Sequence, residues 1–202
     1  MKEDKYKIRS KEEYLSYLKQ DRKMLLQSFS LPTDGKIRPK LLPRCELDYI
    51  YKYQYKLRTL EYHLNCKSKG FFSRLYNKAI TYFFFRRQVK TGMFLQPNCF
   101  GPGLAIKHIG PMIISGGVRI GKNCRIHPGT NIGVDGRNKK VGTMGDDLFL
   151  GNGCKIIGEV TLGNGVVVGA GAVVTKSFEE DGIVLAGVPA KIVSRGGDFR
   201  YF

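Results

Sequence analysis

The chain has 202 residues and a formal net charge of +17, with 42% hydrophobic and 25% charged residues, a balance typical of a folded globular protein. No apolar run approaches the ~18 residues that a membrane span needs, and the charged opening of the chain is unlike a secretory signal. Five scattered cysteines, with no CxxC pair or His/Cys cluster, argue against a disulfide framework and a metal site. They favour a reducing, cytoplasmic location.

The composition divides the chain into two halves. Residues 1–92 contain 22 Lys and Arg against 9 Asp and Glu, and 16 of the 23 aromatic residues. Residues 93–202 contain 22 of the 25 glycines. We therefore predict a basic helical domain at 1–92, a second domain at 93–193 and a tail at 194–202.

The first half has the periodicity of three helices. Ser10, with Glu13 three residues later, is a capping signal for the first helix. An irregular linker with prolines at 32, 39 and 43 follows. Apolar residues at three- and four-residue steps predict a second helix over 47–64, and a third is expected over 71–88. The aromatic and basic end of the third helix indicates either packing with arginines at the rim or contact with a membrane surface or anionic polymer.

A six-residue repeat organises the second half. It places an aliphatic residue at nine positions in one register and a small or medium residue two positions earlier. A coil with three flat faces explains this period, because each hexapeptide supplies one short strand and one corner. The nine aliphatic positions are Ile114, Ile120, Ile126, Ile132, Leu150, Ile156, Leu162, Val168 and Val174.

The repeat is interrupted at 134–147, yet its phase is kept on the far side. This predicts an excursion from one corner, either a surface loop or, as we favour, a wall of the active site. Cys124 and Cys154 fall at the small position of the repeat, so we expect both in the core rather than as acyl carriers.

The second half resembles the left-handed parallel β-helix acyltransferases built on hexapeptide repeats, and within them the serine acetyltransferase-like branch. Segments 101–110, 151–158 and 186–192 carry the likeness, as GPGLAIKHIG, GNGCKIIG and AGVPAKI. The resemblance implies a mainly β protein, a left-handed parallel β-helix preceded by α-helices. It also implies a homotrimer whose active sites lie between subunits, with a dimer of trimers through the helical domain as a further option.

The resemblance implies acetyl transfer from acetyl-CoA to a hydroxyl, with His108 as the general base and no metal. Imidazole titrates near neutrality, which suits a base that deprotonates a hydroxyl. His127 and Asp135 are the candidate contacts to the acceptor, and His127 is alternatively a structural residue. The remaining candidates are small or basic residues along the coenzyme: Gly133, Gly153, Gly169, Ala170, Gly171, Ala172, Lys176 and Lys191.

Two departures from the family bear on the acceptor. The aspartate that orients the family's catalytic histidine has no counterpart in 94–97, and the loop's Arg-His pair corresponds to Lys140 and Val141. Both departures favour a sugar hydroxyl, in a surface polysaccharide or its precursor, over L-serine.

A non-catalytic trimeric scaffold is the alternative function. No nucleic-acid motif is present. We expect the basic half to serve assembly, or docking at the inner face of a membrane, rather than chemistry.

Overall fold

The computed structural model describes residues 6–34, 39, 43–66, 70–136 and 139–196. Most of the expected linker (35–38 and 40–42), two loop residues (137–138) and most of the tail (197–202) lie outside the described residues. The described chain begins with three helices: α1 (Lys11–Ser28), α2 (Glu46–Cys66) and α3 (Phe71–Thr91).

The three helices follow the sequence prediction closely. Ser10 caps α1, because its Oγ accepts a hydrogen bond from the backbone N–H of Glu13 at 3.1 Å. At its C-terminus, α3 is ended by Gly92, whose φ of 72° is a left-handed conformation that glycine adopts without strain. Met93 starts the first strand directly afterwards. The division into domains at 92/93 stays a prediction.

Short strands then wind into coils with three sheet faces. Face A has the order β1-β3-β6-β9-β12, face B the order β10-β7-β4, and face C the order β14-β13-β11-β8-β5-β2. All pairings are parallel except the last, between β13 and β14. The strands are β1 (Met93–Leu95), β2 (Ala105–Ile106), β3 (Met112–Ile114), β4 (Arg119–Ile120), β5 (Arg125–Ile126), β6 (Asn131–Gly133), β7 (Thr143–Met144), β8 (Phe149–Leu150), β9 (Lys155–Ile157), β10 (Thr161–Leu162), β11 (Val167–Val168), β12 (Val173–Val174), β13 (Ile183–Ala186) and β14 (Lys191–Arg195).

The sixfold register forms the core of this β-helix. Each of the nine aliphatic repeat positions is at most 2% exposed, and Cys124 and Cys154 are buried among them. Burial raises the pKa of the Cys154 thiol to about 11, so it stays protonated and unreactive at neutral pH. Both cysteines therefore act as small core residues, as the repeat indicated.

Two boundaries differ from the prediction. Thr143 and Met144 form β7, which pairs with β4 and β10, so the excursion from the coil ends earlier than residue 147. Met144 lies six residues before Leu150 and keeps the phase of the repeat. At the other end, β14 runs to Arg195 and so passes residue 194, the predicted start of the tail.

Polar side chains buried in the helices close the open edge of the first coil. Arg58 donates to the carbonyls of Phe100 at 2.8 Å and Gly101 at 2.6 Å, and Asp21 accepts from the N–H groups of Gly103 and Leu104. Arg58 is fully buried between Asp21 and Glu61, with charged atoms 2.8 and 3.0 Å apart. An unpaired strand edge needs such partners when it is covered. The helices therefore form a cap on the β-helix.

Candidate active site

One corner of the coils brings together most of the predicted site residues. It is the corner between face C and face A, here named the C–A corner, and it comprises residues 107–111, 127–130, 151–154 and 169–172 of successive coils. The turn between β13 and β14, residues 187–190, is hydrogen-bonded to Val173 and lies at the end of this corner. Backbone hydrogen bonds between consecutive coils hold its turns in a stack. Since coils are spaced about 4.8 Å apart, the corner forms a continuous edge along the β-helix.

His108 lies at the cap end of this edge, directly after β2 and Lys107. Its Nδ1 is 3.1 Å from Oε2 of Glu46, the first residue of α2, and the other carboxylate oxygen accepts from the backbone N–H of Ile109 at 2.9 Å. The two side chains are 50% and 42% exposed. The histidine is thus fixed in orientation while one side of its ring remains open to solvent.

The charge of Glu46 suits this role. The hydrogen bond from the N–H of Ile109 is the largest influence and lowers the pKa of Glu46; burial opposes it, and the contact with His108 lowers the pKa further. Because an ionised carboxylate only accepts hydrogen bonds, Nδ1 of His108 is the donor in this contact, and in a neutral imidazole Nε2 then carries the free lone pair. Glu46 is therefore an acid in contact with His108, whereas the sequence has no acid at 94–97.

Sequence reasoning did not identify Glu46. The residue is 62 positions before His108 and has the unremarkable place of an acid in the first turn of a helix. The expectation that the basic half serves assembly or docking rather than chemistry stays a prediction, although α2 contacts the candidate base.

His127 occupies the same corner one coil further on, after β5. Its ring packs on Phe149 with centroids 4.9 Å apart, and its Nε2 is buried with no hydrogen-bond partner among the described residues. Burial is the main cause, and the electrostatic effect of the neighbouring His108, Lys107 and Arg125 adds to it, which lowers the pKa of His127 to about 4. His127 is therefore neutral at physiological pH, and its Nε2 is covered by the surrounding protein.

The small residues of coils three and four continue the edge. Gly171 has a φ of 68° and open space where a side chain would project, and the space beside Gly153 is nearly as open. Ala170 is exposed. This stretch offers backbone and little side-chain bulk, as a narrow ligand arm requires.

Ala172 does not fit the predicted coenzyme role. Its side chain is fully buried, and its N–H and carbonyl are bonded to Gly169 and Lys155. It is the small core position two residues before Val174, so it supports the corner from inside.

The other predicted residues are distributed over separate places. Gly133 is the last residue of β6, Asp135 follows that strand and Lys176 follows β12, which places all three where face A leads into face B. Within one chain they lie at a different corner from His108. Lys191 is exposed and pairs with Ala186, beside the last turn of the C–A corner.

Within the described part of the chain, no three His, Cys, Asp or Glu side chains group as a metal ion would require. The three helices of that part also include none that is long and apolar enough to cross a membrane.

Comparisons with known proteins agree with this architecture. Residues 142–176 match the family model for the bacterial transferase hexapeptide (six repeats). Serine acetyltransferases of Buchnera aphidicola and Bacillus licheniformis are 32% and 30% identical to this chain, over 54% and 67% of it. These alignments cover 40% and 61% of the two relatives, so the chain corresponds to only part of them.

Solved serine acetyltransferases share the fold. The enzyme of Brucella abortus superposes over 93% of this chain and 71% of its own, with a TM-score of 0.67 and 20% identity. The Neisseria gonorrhoeae enzyme in complex with serine superposes over 92% of this chain and 71% of its own, with a TM-score of 0.66 and 22% identity. A serine acetyltransferase in complex with CoA superposes over 91% of this chain and 71% of its own, with a TM-score of 0.63 and 18% identity.

The chain therefore carries a hexapeptide-repeat left-handed parallel β-helix behind a helical cap. Its likeness to the serine acetyltransferase branch of the hexapeptide-repeat acyltransferases is confirmed.

Proposed function

We propose that the protein is an O-acetyltransferase that moves the acetyl group of acetyl-CoA onto an acceptor hydroxyl. The observation that carries this proposal is the Glu46–His108 pair at one end of the C–A corner. A carboxylate that orients a half-exposed imidazole is an arrangement for general-base chemistry. The pair lies at the end of a row of small residues that leaves room for a ligand, and a passive scaffold would not need such a site.

In the proposed reaction, Nε2 of His108 accepts the proton of the acceptor hydroxyl as the oxygen attacks the thioester carbonyl. Glu46 stabilises the imidazolium that forms. When the tetrahedral intermediate collapses, the C–S bond breaks and His108 returns the proton to the departing thiolate. The products are the acetyl ester and free coenzyme A, so His108 and Glu46 end in their starting states.

The coenzyme is proposed to lie along the C–A corner from Lys191 through Gly169–Gly171 and Gly153 toward His108. Three coil steps of about 4.8 Å place Gly171 about 14 Å from the coil of His108, a distance that suits a long, narrow arm. Lys191 is the proposed contact to its phosphates, while Gly133 and Lys176 lie at the other corner.

We further propose a homotrimer in which a neighbouring subunit brings its A–B corner to the C–A corner of the first. That arrangement gives Gly133, Asp135 and Lys176 a place in the site, which one chain alone does not. We place the protein in the cytoplasm, consistent with its free cysteines.

The acceptor is proposed to be a sugar hydroxyl. L-serine carries an ammonium group that needs an acid, and both oxygens of Glu46 already have partners. Lys107 precedes the base, which adds positive charge at that point. L-serine is the second candidate, because the relatives are serine acetyltransferases and a neighbouring subunit would bring the acid Asp135 to the site.

The test is an acceptor screen with acetyl-CoA that measures release of free thiol. His108→Ala should lower turnover about 10²–10⁴-fold while acetyl-CoA still binds. His63→Ala is the matched control, because His63 lies in α2 against Tyr62 and Tyr76 and should leave the rate unchanged. Undiminished turnover in His108→Ala would refute the mechanism. A serine kcat/KM of about 10⁴ M⁻¹s⁻¹ or more would replace the sugar acceptor with serine.

A further inference from the structure

The helix α3 turns its large apolar residues outward. Of its 21 residues only Phe84 and Gln88 are buried, while eight large apolar side chains are at least half exposed, with Phe72 at 83%. A helix that packs on a core normally does the reverse. The eight residues are Phe71, Phe72, Leu75, Tyr76, Tyr82, Phe83, Phe85 and Val89.

Basic residues are interleaved with this apolar face. Steps of four, three and four residues align Phe71, Leu75, Lys78 and Tyr82 along the outer side of the helix, and Arg86 and Val89 continue the line. The sequence of α3 includes five Lys and Arg and no acid. The outer face therefore combines aromatic side chains with uncompensated positive charge.

A broad cavity continues this face toward the candidate active site. It has a volume of about 980 Å³ and is lined by residues of α2 and α3 and by Ile109, the residue after His108. Lys52 of α2 is among the lining residues, and burial, followed by the neighbouring charges of Arg87 and Lys56, lowers the pKa of Lys52. Positive charge thus converges in the space between the outer face of α3 and the candidate base.

We propose that the outer face of α3 docks on an anionic lipid surface. Large exposed apolar patches mark interaction sites, and aromatic residues among Lys and Arg suit the headgroup region of a bilayer. A second copy of this chain is the less suitable occupant, because two faces with five cations each and no acid repel. Anionic lipid instead supplies the missing negative charge.

The helix lies on the bilayer rather than across it. Its 21 residues extend over about 31 Å, but the helix is not apolar enough to cross a membrane. In this orientation the cavity beside Ile109 opens close to the lipid surface. An acceptor held at the lipid surface would then reach His108 without leaving the membrane.

The experiment is co-sedimentation of the full chain with vesicles of phosphatidylcholine alone or with 30% phosphatidylglycerol. We expect binding to the anionic vesicles, weakened by salt, and little binding to the neutral ones. Each basic residue at such a surface is worth about fivefold in affinity. The double variant Lys78→Gln with Arg86→Gln should therefore bind about 25-fold more weakly.

A matched control removes the same charge from α1, through Lys19→Gln with Lys23→Gln. It should keep the parent affinity within about twofold. Phe72→Asp should also weaken binding, and sedimentation velocity should show its oligomeric mass unchanged. Equal losses in the two charge variants, or no binding to anionic vesicles, would overturn the proposal. A lower oligomeric mass in Phe72→Asp would assign the face to a second copy and overturn it as well.

Discussion

Replacing Glu46 with glutamine tests whether the cap takes part in catalysis. Gln is nearly isosteric but neutral, so it keeps the shape at the start of α2 and removes the charge beside Nδ1 of His108. A hydrogen bond to a charged group is worth about 1.5–3 kcal/mol, which is about 10- to 150-fold in rate. The pair is 50% and 42% exposed, so solvent screening favours the lower end, and we expect kcat to fall about tenfold.

The assay measures thiol release under saturating acetyl-CoA, together with the KM for acetyl-CoA and the urea midpoint of unfolding. An exposed ion pair contributes about 0–1 kcal/mol to folding, so the midpoint should hardly move, and the KM should not change. Glu180→Gln is the control, because it breaks an ion pair to Arg195 of 2.8 Å and similar exposure. An unchanged kcat in Glu46→Gln would refute the positioning role, as would an equal loss in the control.

Two further predictions concern the C–A corner. Ala170→Trp should fill the C–A corner and raise the Kd for acetyl-CoA, measured by calorimetry, more than tenfold without unfolding the coils. Lys122→Trp, at another corner, is the control and should leave this Kd unchanged. Equal affinities of the two variants would contradict the proposed groove. His127, whose pKa of about 4 lies below its unfolded value of 6.5, binds a proton more readily unfolded, so stability falls as pH drops from 6.5 to 4. Because the ring is only partly buried, the loss of stability is at most about 2 kcal/mol. Urea unfolding at pH 7 and pH 5 should show this loss in the parent chain and not in His127→Phe. An equal pH dependence in that variant would count against this origin.

Local patterns predicted the parts of the fold that depend on nearby residues. The Ser10 cap and the inward aliphatic positions follow from spacing within a few residues, and each was found where expected. The same register also indicated the burial of Ala172, because that residue is two positions before Val174. Its assignment to the coenzyme came from family likeness, and the periodicity was the better guide.

Contacts between distant segments could not be predicted in this way. No local pattern relates Glu46 to His108, since their contact depends on how α2 is placed against the first coil. Met144 keeps the six-residue phase of the repeat. The position six residues before it, 138, is not aliphatic, so Met144 alone does not stand out within the interruption. In both cases the missing information is the position of one backbone segment relative to another.

The helical cap also determines where the β-helix stops. A stack of identical coils has no intrinsic limit, because each end presents a row of backbone groups that another coil, or another molecule, can extend. Arg58 and Asp21 occupy that row at one end, and the antiparallel β14 covers it at the other. A chain without its helical cap would therefore expose an unpaired strand edge, and we expect such chains to associate end to end into fibres.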